Sequence, residues 1–219
     1  IDRDPSREVS VSRKPVAGHH SWSLDEIRTY RDHWQIGTDQ RLAMELAFWT
    51  AARRSDLVRL GWQNVGRDGW LKFRQQKTGG EVEIPLRDLP LSCRALADDH
   101  ALVMEALRIA NDRMLFLETG KGAQRSDKAL SAWFRRACDA AGLPKRCSMH
   151  GLRKARAAAL AELGWREHRI GAWTGHTTLS EIVRYTRAAS KKRTIAGPEQ
   201  EQNTGTLPEP RSQKRGKIQ

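Results

Sequence analysis

Four short stretches of this 219-residue chain carry side chains able to hold an anion, pass a proton or attack as a nucleophile. T-A-A-R-R-S-D-L sets Arg53 at the end of one helical pattern and Asp56 at the start of the next. Q-K-T-G-G-E-V-E-I-P puts Lys77 beside a hairpin tip. H-G-L-R places His150 and Arg153 three apart, and so on one face of a helix. T-G-H-T-T-L-S-E-I-V-R-Y sets His176 nine residues before Tyr185, one of only two tyrosines, the other being Tyr30. A guanidinium offers a planar fork of donors matched to phosphate oxygens, and imidazole changes charge near neutral pH. Taken one at a time, the stretches also read as ordinary features: a surface ion pair, a solvated lysine, a chance H-x-x-R and a half-buried packing tyrosine.

The elements that must carry these residues follow from period and punctuation. S-L-D-E at Ser23 sets a capping Ser three residues before Glu26 and opens a helix to about Gln35. Gly37 and Thr38 break and recap the chain, and apolar residues then recur at helical spacing to about Ala52. Ser55 is placed to cap a short third helix ending near Leu60. Between Trp62 and Leu86 the period falls to two in W-L-K-F-R and E-V-E-I-P, with Gly79-Gly80 between them, which predicts an antiparallel hairpin. Helical patterning resumes after Leu89, and Met114–Leu117 reads as a short buried strand or helix. Further helices are predicted over Ser126–Ala141, Ser148–Leu163, Glu167–Trp173 and Ser180–Arg187. The fold class is mainly α with a small antiparallel sheet, α+β.

Charge points to the partner. Lys plus Arg is 39 against Asp plus Glu 26, a formal charge of +13, and 28 of the cations are arginines. Such a bias favours a phosphate-rich partner, nucleic acid first. No apolar run approaches the roughly 18 residues of a membrane span; the best, Leu42–Ala52, is interrupted by Glu45. No membrane partner is expected. Cys93, Cys138 and Cys147 show no C-x-x-C and read as buried reduced thiols of a cytoplasmic protein. No His/Cys ligand spacing or carboxylate cluster suggests a metal, and no cofactor is expected.

Taken together and in order, the four stretches resemble the boxes of the tyrosine recombinases, the phage-integrase family, over about residues 20 to 190. The family's T-G-x-R-x-S-E-L followed by an apolar residue and W is met by T-A-A-R-R-S-D-L-V-R-L-G-W, and its hairpin lysine by Lys77 with the run to Leu86. H-x-L-R is met at His150–Arg153, and G-H with Tyr nine residues on at Gly175, His176 and Tyr185. Ala51 stands where Gly is usual, Asp56 for Glu, Thr174 for Leu, and Lys154 for a frequent His.

The resemblance implies the tyrosine recombinase catalytic-domain fold. It also implies a site-specific DNA recombinase that works through a 3′-phosphotyrosyl link without metal or ATP. Tyr185 would be the nucleophile. Arg53, Arg153 and His176 would bind the phosphate oxygens, His150 would take the phenolic proton, and Lys77 would protonate the leaving oxygen. Asp56 would buttress the second of the two helices that meet at Arg53, the one it begins, or orient Arg53, and Arg125 and Lys128 would contact DNA. Residues 1–20 are expected to be a linker from an N-terminal DNA-clamping domain, 21–189 the catalytic domain and 190–219 a disordered tail. The implied partners are double-stranded DNA and, in the full-length protein, a homotetramer on paired sites; the setting would be bacterial or phage, at the nucleoid. Three rival readings stand beside it: a type IB topoisomerase, a metal-dependent acidic-triad transposase, and a basic DNA-binding module with a purely structural Tyr185.

Overall fold

The computed structural model describes residues 18–176, 178–187, 189 and 191–196. The order is α1 (Leu24–His33), α2 (Asp39–Thr50), α3 (Arg54–Leu57), β1 (Trp70–Arg74), β2 (Glu81–Pro85), α4 (Ala97–Leu107), α5 (Asp127–Ala140), α6 (Met149–Glu162), α7 (Glu167–Thr174), α8 (Leu179–Thr186) and α9 (Lys191–Ala196). Short 3-10 turns flank β1 and α4. The class is as predicted, helical with one two-stranded antiparallel sheet, in which Leu71 faces Ile84 and Phe73 faces Val82.

Caps explain why the helix starts fall where the sequence puts them. Ser23 and Glu26 close a reciprocal capping box on α1, Thr38 caps α2, Ser126 caps α5 and Ser148 caps α6. Each side-chain cap contributes about 1 kcal/mol. The start of α3 differs from expectation: Arg53, not Ser55, occupies the N-cap position and makes no side-chain cap bond. Met114–Leu117 forms neither strand nor helix. Phe116 and Leu117 are buried in an irregular turn, Phe116 N–H bonding to the Leu60 carbonyl, while Met114 is 78% exposed.

α2 is the central helix, with Leu42 through Ala52 buried, and it packs against both α4 and α6. A polar rivet crosses this contact. Arg156 of α6, fully buried, stacks its guanidinium 4.8 Å from the Trp49 ring centroid and 5.3 Å from that of Trp173, and donates to Asp99 of α4 at 2.7 Å. Asp99 also pairs with Arg31, which shares buried Glu45 with Arg41. A buried guanidinium so paired fixes the rotation of α6 about its axis, since any turn would strip a charge of its partner. Three residues back on the same helix face lies Arg153.

The first described residues differ from a free linker. Trp22 N–H bonds to the Gly151 carbonyl and its indole N–H to the Ser148 carbonyl, so His19–Trp22 runs across the N-terminus of α6. A Cβ at Gly151 would lie 2.4 Å from the His20 carbonyl oxygen, so only glycine lets the segment lie this close. At the other end, α9 packs on α6 within the stretch expected to be disordered from 190 onward. The remainder of that tail, 197–219, and linker residues 1–17 lie outside the described residues.

Candidate active site

A cleft of about 430 Å³ opens between α3, the β-hairpin tip, α5, the start of α6 and α8. Arg53, Lys77, His150, Arg153 and Tyr185, drawn from the four sequence stretches, all line it, with Arg54, Arg135 and His19. His176 stands behind this wall, its ring centroid 4.3 Å from that of Tyr185.

Arg153 is the hub, and two left-handed helix ends make it so. α2 ends at Ala51 with φ +49 and α7 ends at Gly175 with φ +69. Both turns reverse the chain sharply, and they aim the carbonyls of Ala51 and Thr174 at one nitrogen, Arg153 Nη1. Ala51 sits where the resembled pattern has glycine, and it adopts the conformation that glycine would take without strain. Arg153 Nη2 donates to His176 Nε2 at 2.8 Å. That bond sets the histidine tautomer: Nδ1 keeps the proton and donates to Thr174 Oγ1 at 2.8 Å, whose hydroxyl donates in turn to the Ile170 carbonyl. His176, expected as a direct phosphate donor, therefore has both ring nitrogens engaged and holds the Arg153 fork. Among the described residues, Arg153 Nε and Arg53 Nη1 are buried with no acceptor. With Arg135 Nε, buried and without an acceptor as well, three arginines that line the cleft each keep an N–H that an oxyanion would satisfy.

Tyr185 meets this cluster hydroxyl first, its Oη 2.9 Å from His150 Nε2. Burial, then the positive charges of His19, Arg153, Lys154 and Arg53, press His150 down to about 4. Burial and the same two arginines bring His176 to about 3. Both imidazoles are thus neutral at pH 7, and His150 can accept the phenolic proton rather than compete as a cation. Arg153, lowered to about 10 by burial and by Arg53, remains charged.

Asp56 is buried, and its Oδ1 accepts the backbone N–H of Gln76 at 2.9 Å, tying α3 to the lysine hairpin. Lys77 is exposed at the tip of that hairpin. Arg125 lies half-buried with its guanidinium 4.5 Å from the Trp133 ring centroid, in a second cleft of about 400 Å³ with Arg59 and Gln124. Lys128 is exposed on the first turn of α5 and lines neither cleft.

Sequence reasoning missed His19, whose ring centroid is 4.3 Å from that of His150, and Lys154, whose ammonium donates to the His19 carbonyl at 2.6 Å. The only local hint was Gly151, a small residue inside a helix that the His20–Trp22 segment of the same chain crosses closely. One further cluster has ligand-type atoms within 4.8 Å of one another, His20, Glu26 and Cys147. Its donors are already spent: Glu26 takes Ser23 N–H, His20 Nε2 at 2.7 Å and Arg146 at 3.2 Å. Cys147 is pushed up to about 12 by burial and by Glu26, so the thiol keeps its proton. A divalent cation would have to displace these bonds beside Arg146, so the knot fastens the entering segment and fits a metal poorly.

No described helix is long and apolar enough to cross a membrane. The phage integrase family matches residues 23–192. An integrase of Escherichia phage HK022 is 34% identical over 103 residues, which is 47% of this chain and 28% of that protein. The structure of a lambda integrase (75–356) dimer bound to a COC′ core site superposes with a TM-score of 0.65 at 23% identity, covering 81% of this chain and 63% of that one. A lambda integrase tetramer bound to a Holliday junction gives 0.63 at 25% identity, covering 80% of this chain and 51% of that one. The matched region thus spans only part of each of these relatives.

Proposed function

The chain belongs to the phage integrase family, and from that footing we propose that it is a tyrosine-type site-specific recombinase, cutting and rejoining double-stranded DNA through a 3′-phosphotyrosyl link at Tyr185. The observation that carries this reading is the Tyr185 hydroxyl, 2.9 Å from His150 Nε2 in a cleft that Arg53 and Arg153 also line, each with a buried N–H that lacks an acceptor.

In the proposed reaction the scissile phosphate enters between Arg53 and Arg153. Charge-assisted bonds of about 1.5–3 kcal/mol each offset the negative charge that repels a nucleophile and that grows on the equatorial oxygens. Tyr185 Oη gives its proton to His150 Nε2 and bonds to phosphorus, and the bond from phosphorus to the 5′-oxygen breaks. Lys77 Nζ supplies the proton that the departing oxygen needs. His176 steadies the arginine fork. Because the phosphotyrosyl bond conserves the energy of the one broken, a 5′-hydroxyl from another strand can reverse the step. The charge is met by the chain's own cations, so neither metal nor ATP is required.

Arg125 and Lys128 flank the capped start of α5 and are proposed as DNA contacts, with Arg59 in the cleft below. Lambda integrase occurs as a dimer on a core site and as a tetramer on a Holliday junction. By that likeness this chain would work as a homotetramer on paired sites, at the DNA of a bacterial host. A type IB topoisomerase would share the cleavage step but reseal the original strand.

The test is strand transfer. The chain is incubated in EDTA with a pool of duplexes randomised around a nick, and covalently trapped members are recovered and sequenced. The selected duplex is then offered with a foreign 5′-hydroxyl strand. A recombinase joins the two; loss of the adduct in EDTA, or resealing to the original strand alone, contradicts the proposal.

A further inference from the structure

Lys77 sits at an exposed hairpin tip, which raises a physical difficulty for any proton it is to deliver. A four-carbon side chain on a loose turn samples many positions, and about 1 Å of misplacement can cost on the order of 100-fold in rate. The hairpin is not loose at its base. Gln75, the first residue after β1, is 1% exposed, unusual for a polar residue in a turn. Its Nε2 donates to the Thr174 carbonyl at 3.2 Å, and its Oε1 accepts the Thr78 hydroxyl at 2.7 Å. The Thr174 carbonyl, which can only accept, fixes which end of the amide faces which way. The backbone of Gln75 closes the turn as well, accepting from Gly79 N–H and donating to the Gly80 carbonyl, both at 2.8 Å.

The partner of that amide matters most. The Thr174 carbonyl is the one that also receives Arg153 Nη1, and the Thr174 hydroxyl holds His176. Gln75 packs so closely on the next residue that a Cβ at Gly175 would lie 2.1 Å from its Nε2. On the other side, Asp56 holds Gln76 N–H from the helix that Arg53 caps. The two residues preceding Lys77 are therefore clipped to the two walls that carry the phosphate-binding arginines.

We propose that Gln75 is a positioning residue for Lys77: it registers the lysine hairpin against the Arg153–Thr174–His176 wall, so that the ammonium is held over the leaving 5′-oxygen of the phosphate that Arg153 binds. The inference rests on the reading of Lys77 as the proton donor. In the step concerned, the bond from phosphorus to O5′ breaks as Tyr185 Oη bonds to phosphorus, the electron pair goes to O5′, and O5′ takes its proton from Lys77 Nζ. Gln75 touches none of these atoms.

The experiment uses the duplex selected in the covalent trap, in two forms: the natural phosphodiester and one with sulfur in place of the bridging 5′-oxygen. A thiolate, with the thiol's reference pKa near 8.5, leaves without a proton. Single-turnover cleavage is measured for the parent, Gln75→Met, Lys77→Ala and the double variant. Methionine keeps the packing volume on Gly175 and loses both hydrogen bonds; thermal melting checks that the fold stays intact, and Gln75→Ala serves if methionine lowers it.

On the oxygen duplex, Lys77→Ala is expected to be about 100-fold slow and Gln75→Met about 10-fold or more. The double variant should be no slower than Lys77→Ala, because Gln75 acts only through the lysine. On the sulfur duplex both single variants should recover to within about threefold of the parent, since no proton is then needed. If Gln75→Met stays equally slow on sulfur while Lys77→Ala recovers, or if the two defects multiply, Gln75 serves the arginine wall alone and the proposal is overturned. If Lys77→Ala itself fails to recover on sulfur, the assignment of Lys77 as proton donor is refuted, and the role of Gln75 with it.

Discussion

Tyr185 Oη and His150 Nε2 lie 2.9 Å apart, brought together from positions 35 residues distant in the chain. α6 presents the imidazole from its first turn and α8 presents the phenol from its last. The pair is held from behind by His176 and Arg153, whose guanidinium carbon is 5.6 Å from the Tyr185 ring centroid. A phenol, an imidazole and the guanidinium groups of Arg53 and Arg153 thus meet along one cleft.

If His150 takes the phenolic proton, His150→Gln should slow single-turnover cleavage by about 100-fold, the usual worth of a positioned base. DNA affinity should change less than about twofold, because a neutral imidazole contributes no phosphate charge pair. A binding loss as large as the rate loss, measured by titration of the selected duplex, would make His150 a DNA contact instead.

Acid should destabilise the chain earlier than carboxylate titration alone would. His150 at about 4 and His176 at about 3 bind protons less readily folded than at the unfolded value of 6.5. Between these limits the unfolded chain holds more protons, so their contribution is complete above about pH 7 and is lost as pH falls through 6.5 toward 4. Melting temperature measured from pH 7.5 to 5 should fall, and His150→Gln should flatten that slope. An identical slope in the variant would mean that His150 is not held neutral.

Arg153→Lys should be damaging although it keeps the charge. One ammonium cannot serve the Ala51 and Thr174 carbonyls and His176 Nε2 together while still offering a donor to an anion. Leaving one buried acceptor unmet costs about 1–3 kcal/mol, so urea unfolding should show a loss in that range with cleavage reduced about 100-fold or more. Unchanged stability would show that the two carbonyls do not depend on the fork.

Gly151→Ala tests the docking of the entering segment. With the His20 carbonyl 2.4 Å and Trp22 Cδ1 2.6 Å from the added carbon, the segment has to lift off α6. A loss of about 1–3 kcal/mol is expected, along with red-shifted tryptophan emission as Trp22, now 4% exposed, meets water. An alanine variant as stable as the parent would place the segment elsewhere.

What was legible in the sequence was local or strongly patterned. Ser23, Thr38, Ser126 and Ser148 announced their helices because capping is a bond between neighbours in sequence. Gly79-Gly80 announced the hairpin because a turn is local too. The same logic misled at Met114–Leu117, where an apolar run fills a gap beneath Leu60 without repeating structure. It also misassigned the α3 cap, since Arg53 is set there by the left-handed turn at Ala51. The site's chemical residues stood out through order and spacing, yet their roles depended on long-range bonds. That His176 faces Arg153, that Asp56 holds the hairpin and that His19 rests on His150 are contacts between distant segments, invisible to any periodicity.

The most direct measurement asks which tyrosine becomes joined to DNA. Tyr30 is fully buried, with its hydroxyl given to the Gln40 carbonyl and its acidity suppressed first by burial, so it has no route to a phosphate. The trapped adduct is digested with protease and nuclease, and the peptide bearing a 3′-nucleotide is identified by mass. The account predicts one such peptide, carrying Tyr185, and no adduct from Tyr185→Phe; a nucleotide on any other residue, or an undiminished adduct from the phenylalanine variant, would contradict it.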